Sequence, residues 1–144
     1  LRCYRNGEDP KDADGWYRTG DVGTVDPRSG RLSVHGRADD MIISGGENVW
    51  PEPIEAILGR HEAIADVAII GRADPEWGQV VVAVIVPNDP ATPPPLDELR
   101  DLVRQDLPVW CAPRAVELAT SLPRTSLGKL QRRRLTVDES ARPN

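Results

Sequence analysis

Apolar and polar positions alternate in short runs along this chain, and two stretches carry a helical period. Residues 16–26 and 31–36 are alternating runs on either side of Pro27-Arg28-Ser29-Gly30, a turn sequence, and together they predict a β-hairpin. Met41-Ile42-Ile43 predicts a short buried strand, and Ser44-Gly45-Gly46-Glu47-Asn48 predicts a loop, because paired glycines interrupt strand and helix alike. Pro51 suits the first turn of a helix, and Ile54, Ile57 and Leu58 follow at helical spacing, so a helix is predicted over residues 51–60. Residues 65–71 and 80–86 read as strands. The second is apolar throughout, which predicts burial on both faces. Asp74-Pro75-Glu76-Trp77-Gly78 is the turn between them.

The proline-rich stretch from Pro87 to Pro95 predicts a stiff connection. Leu96, Leu99, Leu102, Val103 and Leu107 predict a second helix ending before Pro108, and Val116-Glu117-Leu118 a further short strand. Residues 1–14 read as a loop, residues 122–135 as a loop running into a basic segment, and the tail after Asp138 as frayed. These elements predict an α+β unit: a small central sheet of about three strands, packed with two or more helices and preceded by a hairpin.

Composition narrows the function. The chain has 144 residues, 39% hydrophobic and 28% charged, with four Trp, two Tyr and no Phe, so its core must be built from Val, Ile, Leu and Ala. A net charge of −5 disfavours a nucleic-acid partner, where affinity comes from neutralising phosphates. Arg124, Lys129, Arg132, Arg133 and Arg134 do cluster and could serve one anionic ligand, although charge alone favours a solvated stretch. Cys3 and Cys111 have no Cys or His at metal-ligand spacing and form no disulfide framework, which fits a reducing cytoplasm. No run approaches a membrane span and no signal peptide is visible. A start at Leu1 rather than Met hints at a piece of something longer.

Three segments carry candidate chemistry: Gly15-Trp16-Tyr17-Arg18-Thr19-Gly20-Asp21, residues 36–49 (Gly-Arg-Ala-Asp-Asp-Met-Ile-Ile-Ser-Gly-Gly-Glu-Asn-Val), and Leu122-Pro123-Arg124-Thr125-Ser126-Leu127-Gly128-Lys129-Leu130. In this order and spacing they resemble the late motifs of the adenylate-forming enzymes: acyl- and aryl-CoA synthetases, peptide-synthetase adenylation domains and luciferases. The resemblance covers roughly residues 15–135.

The resemblance implies a division into residues 1–38, the end of a large amino-terminal domain; residues 39–136, a mobile carboxy-terminal lid; and a tail over 137–144. It implies that Asp21 and Arg37 contact the ribose of ATP and AMP, and that Asp39 is the hinge between an adenylating and a thioester-forming arrangement. On their own, Asp21 would be a turn former and Arg37 with Asp39 a weak surface ion pair. Gly45 and Gly46 would line the pantetheine tunnel, with Trp77, Trp110 and Arg114 against CoA. Cys111 and Ala112 depart from the basic residue that many relatives carry there, and Arg132 to Arg134 are the expected substitutes for it. Lys129 would be the adenylation lysine, placed between the substrate carboxylate and the α-phosphate.

The cofactors implied are ATP/AMP, Mg²⁺ bound mainly through the missing domain, and CoA as co-substrate. The partners implied are that amino-terminal domain and a small carboxylic acid. No phosphate-binding loop and no acid pocket occur in this chain, so the expectation is a fragment inactive by itself. Two other readings stay open: an adenylation domain that loads a carrier protein, and a binding module that kept the fold without the chemistry.

Overall fold

The computed structural model describes residues 11–136. Cys3, most of the first expected loop and the expected frayed tail lie outside the described residues. The chain divides into two compact units, one ending at Asp39 and the other beginning at Asp40.

The first unit is the expected hairpin. Strands β1 (Asp21–Val25) and β2 (Leu32–Arg37) pair antiparallel, with Asp21 opposite Arg37 and an irregularity between Val22 and Gly23. Asp26 builds the turn: its Oδ1 accepts the N–H groups of Arg28 at 2.7 Å and Ser29 at 3.0 Å. Those two bonds hold its carboxyl below the usual carboxylate range, because they favour the charged form. The strand begins at Asp21, not Trp16. Residues before it are held by turn bonds, with Asp12 Oδ1 accepting Trp16 N–H at 2.8 Å.

The second unit is α+β, and its sheet has five strands where about three were expected. β3 (Ile42–Ser44), β4 (Glu47–Val49), β5 (Ile64–Asp74), β6 (Gly78–Pro87) and β7 (Ala115–Leu118) form one sheet. β6 is its axis. It pairs antiparallel with β5 from Gly78 to Pro87 and, on its other edge, meets β3 at Gly78 and runs parallel to β7 over Val82 to Ile85. A parallel neighbour needs a crossover, and helix α2 (Leu96–Asp106) supplies it. The extra strand is β4: Gly45 and Gly46 both have positive φ, which makes a two-residue hairpin of the expected loop and turns Glu47 to pair with Ser44.

Helix α1 (Pro51–Leu58) starts at a proline and buries Ile54 and Leu58; α2 buries Leu99 and Val103. Period-two alternation in β6 sends Val81, Ala83 and Ile85 to the face covered by these helices. Val82 and Val84 point to the opposite face, under Leu122, Leu130 and Leu135. Burial of β6 on both faces is therefore realised. Each fully buried Ile or Leu stabilises the unit by about 1.5–3 kcal/mol.

Two carboxylate contacts tie the layers together. Glu55 of α1 accepts the N–H of Ile69 in β5 at 2.8 Å, and His61 Nε2 lies 3.0 Å from Glu98 Oε1 of α2. A short helix α3 (Arg133–Thr136) ends the described chain. No helix among the described residues is long and apolar enough to cross a membrane.

Candidate functional site

The expected site residues fall into three places. Asp21 and Arg37 face each other at the open end of the hairpin, both exposed. The end is closed by the Ala38 N–H, which donates to Gly20 O at 2.8 Å, and the Arg37 guanidinium lies against Gly20, where a Cβ would come within 3.1 Å of it. No ion pair joins Asp21 to Arg37 among the described residues, so the Asp21 carboxylate and the Arg37 guanidinium are not consumed by each other. Asp39 sits in a single 3-10 turn, Ala38–Asp40, as the last residue of the first unit.

Gly45, Trp77 and Arg114 converge at one corner of the sheet. The Gly45 N–H donates to Trp77 O at 2.9 Å, and the indole lies so close that a Cβ on Gly45 would sit 2.6 Å from its ring. Gly45 also has φ +59°, so glycine is required there twice over, by conformation and by space. The Arg114 guanidinium lies 4.0 Å from the Trp77 ring centroid, a cation–π distance. Asp74 Oδ1 fixes the turn before the indole by accepting Trp77 N–H at 2.9 Å.

Trp110 is not part of that stack. It stands half-exposed on the 3-10 turn Val109–Cys111, which lies beside β4. Cys111 and Ala112 are buried against the helical face, so the departure from a basic residue reflects core packing at these positions. Burial pushes the Cys111 thiol up from its ordinary pKa, and the nearby Glu47 carboxylate adds to the rise.

Lys129 lies on the opposite face, in a tight loop. Thr125 N–H donates to Lys129 O at 2.8 Å, Gly128 N–H to Thr125 O at 2.9 Å, and Lys129 N–H to Thr125 Oγ1 at 3.1 Å. Gly128, at φ +80°, makes the turn. Arg124 braces the loop from beneath: one nitrogen donates to Gly128 O at 3.0 Å and the other to both oxygens of Asp66 at 2.8 Å. Leu122 and Leu130 pin the two ends to the sheet. The Lys129 side chain is exposed, and among the described residues its Nζ makes no hydrogen bond or ion pair. A compact ammonium is thus displayed on a stiff base.

The basic cluster does not act as one patch. Arg124 is committed to Asp66. Arg132, only 15% exposed, is surrounded by carboxylates: Glu55 at 2.6 Å, Asp40 at 3.2 Å and Glu52 at 3.7 Å. It is turned inward and does not take the place of the basic residue absent at Cys111 and Ala112. Sequence reading missed this ionic hub. The only local signal was Glu52 and Glu55 three apart on one helix, which places two carboxylates on neighbouring positions but does not say what cation meets them. Among the described residues no group of three His, Cys, Asp or Glu side chains converges as a metal site, so none is assigned to Mg²⁺.

Comparison with known proteins gives the class. The family described as the AMP-binding enzyme C-terminal domain matches residues 53–129, just over half of the chain, and the chain belongs to that family. It is 45% identical over 135 residues to a probable 2-succinylbenzoate–CoA ligase of Mycobacterium tuberculosis, covering 92% of this chain and 35% of that protein. It is 44% identical to a 4-chlorobenzoate–CoA ligase of Arthrobacter, covering 87% of this chain and 23% of that one. Among solved structures, o-succinylbenzoate CoA synthetase from Bacillus subtilis, in complex with its acyl-adenylate intermediate, superposes with a TM-score of 0.79 at 33% identity. The match covers 94% of this chain and 27% of that one. The chain therefore spans about a third or less of the length of these relatives.

Proposed function

We propose that this chain is the carboxy-terminal part of an AMP-forming acyl-CoA synthetase, in which Lys129 serves adenylation and the Gly45–Trp77 corner serves thioester formation. The observation that carries the proposal is Lys129 itself: exposed, without a side-chain partner among the described residues, on a loop braced by Arg124 and Thr125. In the first half-reaction a carboxylate oxygen attacks the α-phosphorus of ATP and pyrophosphate leaves. Two anionic groups must approach, and an ammonium between them offsets their repulsion and stabilises the charge that develops. Asp21 accepts from the ribose hydroxyls, with Arg37 beside it. In the second half-reaction the CoA thiol attacks the acyl carbon and AMP leaves. The pantetheine passes the bare backbone of Gly45 and Gly46, Trp77 and Trp110 offer apolar rings, and Arg114 offers a guanidinium to phosphate. Asp39 is the hinge between the two arrangements.

The relatives named above act on aryl acids, which makes an aromatic or aryl-alkanoic acid the first class to test. Full-length protein should release pyrophosphate in the presence of one member of a panel of carboxylic acids and not without acid. Acyl transfer to free CoA, rather than only to a carrier protein, separates the CoA ligase from a carrier-loading enzyme. Absence of acid-dependent pyrophosphate release across the panel would leave a binding module. The 144-residue chain alone should be inactive.

A further inference from the structure

We infer that Arg132 is a positioning residue, which welds the Lys129 segment to helix α1 and to the first residue beyond the hinge. This rests on the ligase reading above for its consequence, but its basis is geometry. Arg132 follows Lys129 by three positions and sits among acids drawn from two distant parts of the chain. Its Nη1 donates to Asp40 Oδ2 at 3.2 Å. Its Nη2 and Nε donate to the two oxygens of Glu55 at 2.6 and 3.3 Å. Glu52 Oε1 lies 3.7 Å from Nη2, and its other oxygen is buried without a hydrogen-bond partner.

One planar fork thus holds Glu55 through two nitrogens and Asp40 through the third, a fixed geometry that the single nitrogen of a lysine cannot reproduce. Asp40 is the residue at which the second unit begins, directly after Asp39. Through Arg132, the chain that leaves the hinge and the chain that leaves Lys129 are fastened to the same helix. Rotation at Asp39 then moves Lys129 as part of one body, and its reach depends on the hinge angle alone. Without the clamp, the Lys129 loop would keep its leucine anchors and the Arg124 brace but lose its tie to α1 and Asp40, and a misplacement of the order of 1 Å at a reacting group can cost about 10²-fold in rate.

Arg132→Met leaves three carboxylates facing one another and is a poor test, because it can prevent folding. Arg132→Lys and Asp40→Asn are better, since each keeps a compensated cluster but breaks the bridge. In the full-length protein, each should lower kcat for acid-dependent pyrophosphate release about 10-fold. Thioester formation from supplied acyl-adenylate should stay near the parent rate, and the double variant should be no worse than the worse single one. In the 144-residue chain, amide exchange over residues 40–43 and 122–136 should quicken together while β5 and β6 keep their protection. Equal loss in both half-reactions, additive losses, or unchanged exchange in those two segments would overturn the inference. If the parent protein releases no pyrophosphate with any acid, it is the ligase reading that has failed, and the exchange measurement decides the clamp by itself.

Discussion

The Lys129 loop and the Gly45–Trp77 corner are built on opposite principles. At the corner every group has a neighbour: the indole fills the space a Gly45 side chain would need, and Arg114 covers the ring. On the loop the backbone is bonded at its base, yet the exposed side chain at the end of it makes no hydrogen bond or ion pair among the described residues. A surface that ligands slide past gains from being rigid and filled. On the proposed reading the Lys129 charge serves a site outside this unit and has to remain unspent within it, since an internal carboxylate would compete with the substrate for it. Arg124 and Arg132, a few residues either side of Lys129, show the alternative, as both are spent on internal acids.

That contrast can be broken most severely at Lys129. In the full-length protein, Lys129→Ala should reduce acid-dependent pyrophosphate release by about 10²–10³-fold. Thioester formation from supplied acyl-adenylate should change only a few-fold, so assaying the half-reactions separately decides the point. Equal losses would mean that the two regions do not divide the labour.

Gly45→Val attacks the corner. Left-handed strain alone costs about 1–3 kcal/mol, and the new side chain must also displace Trp77. Denaturant unfolding should report a loss of that size or larger. Thioester formation should fall further than adenylation, the reverse of the Lys129 pattern.

Arg124→Met removes the brace under the loop. Its pair with Asp66 is half-exposed, so global stability should change by no more than about 1 kcal/mol. Amide exchange at residues 125–129 should nevertheless quicken, which would distinguish local stiffening from global stabilisation.

The smallest effect concerns Cys111. Burial first, and Glu47 second, raise its pKa, so the folded state holds the thiol proton more tightly than the unfolded state does. Its contribution is complete below the ordinary thiol pKa and is lost as pH rises through the higher folded value, making stability decline slightly on the alkaline side. Alkylation of native protein at neutral pH should accordingly be slow at this residue, and become fast on unfolding.

Much of this fold was readable because its periodicity is strong. The seven-residue apolar run of β6 could only be an interior strand, and both helices lie close to where Ile54 to Leu58 and Leu96 to Leu107 placed them. β4 was lost because Gly45-Gly46 was read as the end of regular structure, whereas two positive-φ residues in succession are what a two-residue hairpin needs. The site was legible through its motifs, but not its geometry. Nothing in the sequence says that Trp77 would press on Gly45, or that Arg114 would lie across the ring, because those contacts join turns separated by β4, α1 and β5 or by β6 and the whole α2 crossover. Arg132 was misread for a related reason. Charge counted along the chain places it with its basic neighbours, while the fold places it with Asp40, Glu52 and Glu55 from 77 to 92 positions away.

The bond from Ile69 to Glu55 has a consequence outside catalysis. β5 forms the border of the sheet, and its outward amides are an open invitation for a strand of another molecule to add on. Glu55 answers one of those amides near the middle of the strand, with a charged oxygen that an incoming carbonyl would have to expel. The same side chain is held in place by Arg132, so the ion pairs that brace this unit also keep that edge amide occupied.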